Sequence, residues 1–312
     1  MGEREHVTAV QPPRAGRPPR RPTRGQVGRR RALAAGLLFL FLALAFYLLY
    51  GLRDADTEES VPPQVVTTAP KQKVLRVVFP EGFTRKEMVT RVAEVRLIAK
   101  KKRKVTPRLA GAAYAAASKA AKIPAAFRAD ARGTEGFLFP ATYEFTPETT
   151  GKQLVDDQIE QFEANWSKVD LTAARKKKLT PYDVLIIASM VEKETIAPDE
   201  RPKVAAVIYN RLKAGMELGI DATIRYGLDV PGTEALRVSQ LESDNPYNTR
   251  NRIGLPPTPI ANPGLASMQA AAHPAKVDYL FFVRKPDKVH HFFTASESEF
   301  FAKACEYGFG CG

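Results

Sequence analysis

Apolar residues recur at helical spacing most continuously between Thr180 and Thr195. At about 100° per residue, Ile186, Met190, Ile187, Val191, Val184 and Ala188 form one apolar arc. Thr180 suits the N-cap, Pro181 the first helical position, and Asp183 places a negative charge in the first turn. Glu194 falls inside the arc, between Met190 and Ile187, whereas Glu192 lies beyond its edge and Lys193 on the polar side. Upstream, the pattern predicts a short strand at 74–79, a turn at 80–82 and a helix from about Arg85 to Ile98 capped by Thr84. An Ala/Lys-rich helical region follows at 107–122, then an amphipathic helix at 151–169 with Leu154, Ile159 and Phe162 inward. Downstream, a helix begins at Asp199 and Glu200, carries Val204, Val207, Ile208 and Leu212 on one face, and ends near Gly215. Helices then thin out. Residues 221–227 are compact and mixed, and 245–249 and 254–264 are Pro-, Gly- and Asn-dense loops. A short helix at 266–272 and antiparallel strands at 279–283 and 290–294 complete an α+β pattern.

Outside this region the pattern changes. Residues 1–31 hold nine arginines and five prolines with almost no large apolar residue, so no core can form there. Residues 32–52 are 21 uncharged positions rich in Leu, Phe and Ala, long enough for a transmembrane helix across about 30 Å of hydrocarbon. Arg29, Arg30 and Arg31 precede the span, and Asp54, Asp56, Glu58 and Glu59 follow it. That asymmetry predicts a cytoplasmic N-terminus and an extracytoplasmic remainder. Residues 53–73, rich in Thr, Pro, Val and Glu, read as a tether.

Charge adds little beyond this. The net charge is +13, of which the nine arginines of the first 31 residues, against Glu3 and Glu5, supply +7. The short basic runs at 100–104 and 175–178 have no interleaved aromatic residues. The excess therefore suits anionic lipid headgroups and an anionic envelope polymer, and nucleic acid is rejected as a partner.

Candidate chemistry narrows by elimination. There is no Gly-x-Ser-x-Gly, and Ser189 sits inside a helix. Adjacent strand residues His290 and His291 point to opposite faces and cannot chelate together, and no phosphate-cradling glycine loop is present. No metal and no cofactor is expected. Carboxylates remain: Glu194 first, then Glu192, Asp221 and Glu135. A carboxyl on a face that a helix buries either keeps its proton, as a general acid needs, or pairs with Arg201 or Arg211, or reaches water through a frayed end. The aromatic-rich segment 133–145 reads either as an extended core segment or as a groove wall on which sugar rings stack. Cys305 and Cys311 are placed for a local disulfide in an oxidising compartment.

Several motifs in order now carry a resemblance. They are Glu135-Gly-Phe-Leu-Phe-Pro-Ala-Thr-Tyr-Glu-Phe145, Ala188-Ser-Met-Val-Glu-Lys-Glu-Thr195 and Glu200-Arg-Pro-Lys-Val-Ala-Ala-Val-Ile-Tyr-Asn-Arg-Leu212. Asp221-Ala-Thr-Ile-Arg-Tyr-Gly-Leu228, Pro246-Tyr-Asn-Thr249, Gly254-Leu-Pro-Pro-Thr-Pro-Ile-Ala-Asn-Pro-Gly264 and Ala271-Ala-His-Pro-Ala-Lys276 continue the series. Over about half the chain it resembles the endolytic murein transglycosylases of the MltG (YceG-like) family. The resemblance implies a small LysM-like α+β module at 74–132 and a helix-rich α+β lytic transglycosylase domain at 133–312. It places the catalytic glutamate at Glu194, and Asp221, Tyr226, Tyr247, Asn248 and Thr249 in the substrate cleft. Asp221 would orient a sugar hydroxyl, brace the cleft or cap a helix.

The implied reaction cuts the MurNAc–GlcNAc bond of peptidoglycan to a 1,6-anhydromuramyl end at the cell membrane. The implied partners are penicillin-binding synthases and division or elongation proteins. A non-catalytic glycan-binding scaffold is the alternative, and a hydrolase using Asp221 as second carboxylate is a third reading. Only one strand–turn–helix unit stands where the family carries a fuller LysM-like region, and the family's Asp-Pro-Thr is Asp221-Ala222-Thr223.

Overall fold

The computed structural model of the chain describes residues 42–47 and 73–309. The chain divides into two compact units, 1–68 and 69–312. Of the first, only residues 42–47 are described, and they are helical. The expected tail at 1–31, most of the span at 32–52 and the tether at 53–72 thus lie outside the described residues. No helix among the described residues is long and apolar enough to cross a membrane.

The second unit is built on α4 (Pro181–Glu194). Thr180 caps it: its hydroxyl accepts from the Asp183 N–H while the Asp183 carboxylate accepts from the Thr180 N–H at 2.8 Å. Positions 184–191 are all buried, so the helix is apolar around most of its girth and not along one stripe. It packs against α5 (Arg201–Ala214) and α7 (Leu265–Ala272), with Ile186, Ile187, Met190, Val204, Ile208 and Met268 in one core. Each such side chain contributes about 1.5–3 kcal/mol by leaving water. The α5 helix ends on Gly215 at φ +68°, as its glycine predicted.

A second core joins β1 (Leu75–Val78), α1 (Arg85–Ile98), α2 (Gly111–Ala120), β2 (Thr142–Phe145) and α3 (Gly151–Trp166) through Val77, Met88, Val92, Tyr114 and Leu154. Strands β1 and β2 pair antiparallel, with Leu75 opposite Phe145, so residues 74–132 share a sheet with the chain beyond them. The α1 helix carries the predicted Thr84 cap, with Glu87 closing the capping box. Strands β3 (Phe281–Arg284) and β4 (His291–Thr294) form a second hairpin, with Phe281 opposite Thr294. His291 is buried and His290 exposed, as alternation requires. Residues 221–228 close into α6 (Asp221–Leu228), and α8 (Glu297–Glu306) packs on the β3–β4 hairpin.

The aromatic segment resolves as core. Phe137 is fully buried, edge-on to Phe127 and Phe162 at 5.0 and 5.1 Å, and Tyr143 and Phe145 are buried beside β1. Gly136 is required where it stands. Its φ is +91°, and a Cβ there would lie 2.7 Å from Pro259. Gly136→Ala is expected to cost about 1–3 kcal/mol. Thermal unfolding checks this, at about 2–4 °C per kcal/mol for a domain of this size.

Candidate functional site

The C-terminal end of α4 opens into a cleft of about 1630 Å³. Glu194, Asp221, Tyr226, Tyr247 and Glu135 all line it, so the structure brings most of the sequence-derived candidates together. One wall is α1, which presents Arg85, Lys86, Thr90 and Arg91. The 74–132 segment is therefore part of the cleft itself, and an ion pair joins its Lys86 to Asp229, just past the end of α6.

Glu194 is half-buried and, among the described residues, its carboxyl has no hydrogen-bond or ion-pair partner. The arginines considered from the sequence are engaged elsewhere. Arg201 lies 3.8 Å from Glu192 and donates to Ser267, while Arg211 donates to the carbonyls of Leu280, Glu217 and Leu218. Loss of water pushes Glu194 up to about 7 and the nearby Asp221 charge adds to this, against the opposing charges of Arg284, Arg250 and Lys193. Its position at a helix C-terminus disfavours the carboxylate as well. A carboxyl that keeps its proton near neutral pH and faces an open cleft is equipped to donate it.

Glu135 is the contrasting acid. It is buried, and both its oxygens accept from the Arg85 N–H, at 2.9 and 3.2 Å. Asn262 Nδ2 donates to one oxygen at 2.8 Å and the Tyr226 hydroxyl to the other at 3.2 Å. Burial pushes it up to about 7 in spite of these donors. Its lone pairs are occupied, so it holds neighbours in place and has no free edge from which to offer a proton.

Asp221 is the first residue of α6, whose N-cap is Ile220, and Asp221 pairs with Arg250 at 2.6 Å instead of capping. The Tyr226 and Tyr247 rings meet edge-on at 5.1 Å, and the Tyr247 hydroxyl lies 2.8 Å from Thr258 Oγ1. Asn248 and Thr249 do not line the cleft. Asn248 is buried, donating to the carbonyls of Leu241 and Ser243. Thr249 accepts from the Ile220 N–H and meets the Thr223 hydroxyl at 3.0 Å. Thr249 braces the start of α6 and Asn248 the turn at 241–243, because small polar side chains in a buried loop satisfy backbone groups. Glu192 also faces away from the cleft, accepting from the Gly264 N–H at 2.9 Å.

Sequence reasoning missed two contributors. Asn262 ties the cleft wall together, accepting from the Gly136 and Leu138 N–H groups and donating to the Phe83 carbonyl. Its only sequence signal is an Asn in a Pro/Gly loop. Arg284, on β3, projects beside Glu194 from 90 residues away, and nothing local marks it.

The architecture and site define an α+β protein whose open cleft is lined, among the described residues, by a Glu194 carboxyl without a hydrogen-bond or ion-pair partner. Residues 49–305 match the model of the YceG-like family, and the chain belongs to that family. It is 40% identical over 152 residues to an endolytic murein transglycosylase of Bacillus subtilis, covering 48% of this chain and 42% of the relative. It is 35% identical over 154 residues to one of Streptococcus pneumoniae, covering 48% of this chain and 28% of the relative. The matched region thus spans less than half the length of these relatives. The crystal structure of a YceG-like protein of Listeria monocytogenes superposes with a TM-score of 0.60 at 28% identity, over 72% of this chain and 74% of that one.

Proposed function

We propose that the chain is a membrane-anchored lytic transglycosylase that cuts nascent peptidoglycan glycan strands, with Glu194 as its acid. The observation that carries this reading is the Glu194 carboxyl, which lines an open cleft of about 1630 Å³ with no hydrogen-bond or ion-pair partner among the described residues and is pushed up to about 7. Family membership and the names of the curated relatives support it. Glu194 protonates the glycosidic oxygen between N-acetylmuramic acid and N-acetylglucosamine, and the bond from that oxygen to the muramyl anomeric carbon breaks. The muramyl 6-hydroxyl oxygen then attacks the same carbon and gives its proton to the Glu194 carboxylate. The product is a 1,6-anhydromuramyl end, with no water consumed and no second carboxylate needed.

The apolar stretch at 32–52 supports anchoring with the cleft outside the cytoplasmic membrane, and the strand–turn–helix unit within 74–132 is taken as a reduced LysM-like module. Peptidoglycan-synthesising enzymes and division or elongation proteins are the corresponding partners. Mass analysis of uncrosslinked glycan strands incubated with the protein tests the reading. Anhydromuramyl ends support it, reducing muramyl ends indicate hydrolysis with Asp221 as second carboxylate, and strands bound but uncut indicate a scaffold. The Asp221 charge raises Glu194. Asp221→Asn is therefore expected to move the upper pH limit of cleavage downward, as a pH–rate profile would record.

A further inference from the structure

We propose that Glu135 is a positioning residue that makes the Tyr226 hydroxyl a pure hydrogen-bond acceptor toward the cleft, selecting donor groups on the glycan such as sugar hydroxyls or acetamido N–H. The inference rests on the glycan-cutting reading above. A tyrosine hydroxyl has one hydrogen to donate. Tyr226 directs it to Glu135 Oε2 at 3.2 Å, and above about pH 7, where Glu135 is ionised, its carboxylate can only accept. What the Tyr226 oxygen offers the cleft is then lone pairs alone. Glu135 cannot turn away, because Oε1 accepts from Arg85 N–H and Asn262 Nδ2 at 2.9 and 2.8 Å. The Arg85 N–H is at the first turn of α1, where the helix dipole favours an anion.

The same contacts join three parts of the cleft. Arg85 belongs to the α1 wall, Tyr226 to α6, and Asn262 to the loop crossing beneath α4, whose Ile260 N–H donates to Ser189 Oγ at 3.0 Å. The polarity of Tyr226 is therefore set by a group shared between the N-terminal wall and the body of the cleft. Glu135 lines the cleft as well, but both its oxygens are taken by Arg85, Asn262 and Tyr226, so it acts on the glycan through the tyrosine.

Glu135→Gln tests this with little change of shape. The amide oxygen keeps the Arg85 and Asn262 donors, and its NH₂ faces the Tyr226 oxygen. Tyr226 must then turn its hydrogen into the cleft and become a donor. Three variants are compared with the wild type: Glu135→Gln, Tyr226→Phe and the double substitution. Each single change is expected to lower kcat/KM on glycan strands by about tenfold, chiefly through KM, since a substrate donor is left unpaired. The double variant is expected to be no worse than the poorer single one, with melting temperature near that of the wild type. Effects that multiply, or a Glu135→Gln loss that tracks a fall in melting temperature, would overturn the proposal and leave Glu135 a structural tie. If the wild type cuts no glycan, the enzymatic reading fails by itself. The same cycle is then read on strand affinity by calorimetry, where coupling still supports the polarity switch and independence still removes it.

Discussion

Replacing Glu194 with glutamine is expected to abolish most cleavage and, at the same time, to stabilise the protein above neutral pH. Loss of a general acid costs about 10²–10⁴-fold in rate. The stability gain follows from proton linkage. Burial holds the Glu194 carboxyl at about 7 in the folded chain, against an ordinary 4.5. Below pH 4.5 both folded and unfolded chains carry the proton and the group is neutral in its effect. Between 4.5 and 7 the unfolded chain releases it while the folded chain keeps it, so stability falls as pH rises through that window. Above 7 the full penalty of a poorly solvated charge is present, about 3 kcal/mol from the shift alone. Contact with cleft water reduces this to about 1–2 kcal/mol. Glutamine does not titrate. The variant's advantage in melting temperature should be absent at pH 4.5, open between 4.5 and 7, and stay level beyond. A constant advantage, or none at pH 8, would contradict the environment assigned to Glu194.

Asn262→Leu is expected to be the most damaging change outside the helices' apolar core. The side chain is fully buried and makes four hydrogen bonds. It accepts from the N–H groups of Gly136 at 3.0 Å and Leu138 at 2.9 Å, and donates to the Phe83 carbonyl and to Glu135, both at 2.8 Å. Leucine fits the volume but leaves two N–H groups, a carbonyl and part of a buried carboxylate without partners. At about 1–3 kcal/mol for each unpaired group, partly relieved by relaxation, the loss is about 3–5 kcal/mol. That is a fall of about 8–15 °C in thermal unfolding. Because Phe83 leads into α1, the cleft wall should loosen before the rest of the unit. Hydrogen exchange would show this as faster exchange in residues 85–98 than around α4. Wild-type stability in this variant would mean that α1 is docked by its apolar contacts alone.

The helices were legible where local chemistry and periodicity agree. Thr180 with Asp183, and Thr84, announced two starts that the structure places at those residues, and Gly215 announced an end. Glu194 was legible because an acid on an apolar arc is costly. Three things were not. The buried position of Phe137 and Tyr143 could not be separated from a groove wall, because alternating aromatics suit both. Asn248 and Thr249 share a motif with Tyr247 but face the opposite way, and chain proximity carries no information on that. The cleft's far wall depends on α1 meeting Asn262 and Glu135 across 179 and 50 residues, a tertiary event with no local signal.

The central claim is that one carboxyl, Glu194, delivers and retrieves the proton of bond cleavage. The most direct measurement is the initial rate of anhydromuramyl-end formation on uncrosslinked glycan strands from pH 5 to pH 9, for the wild type beside Glu194→Gln. A single group cycling between acid and base predicts, at saturating substrate, a descending limb centred at about 7 and no comparable activity in the variant. A flat profile, or a variant that forms the same ends at the wild-type rate, would contradict it.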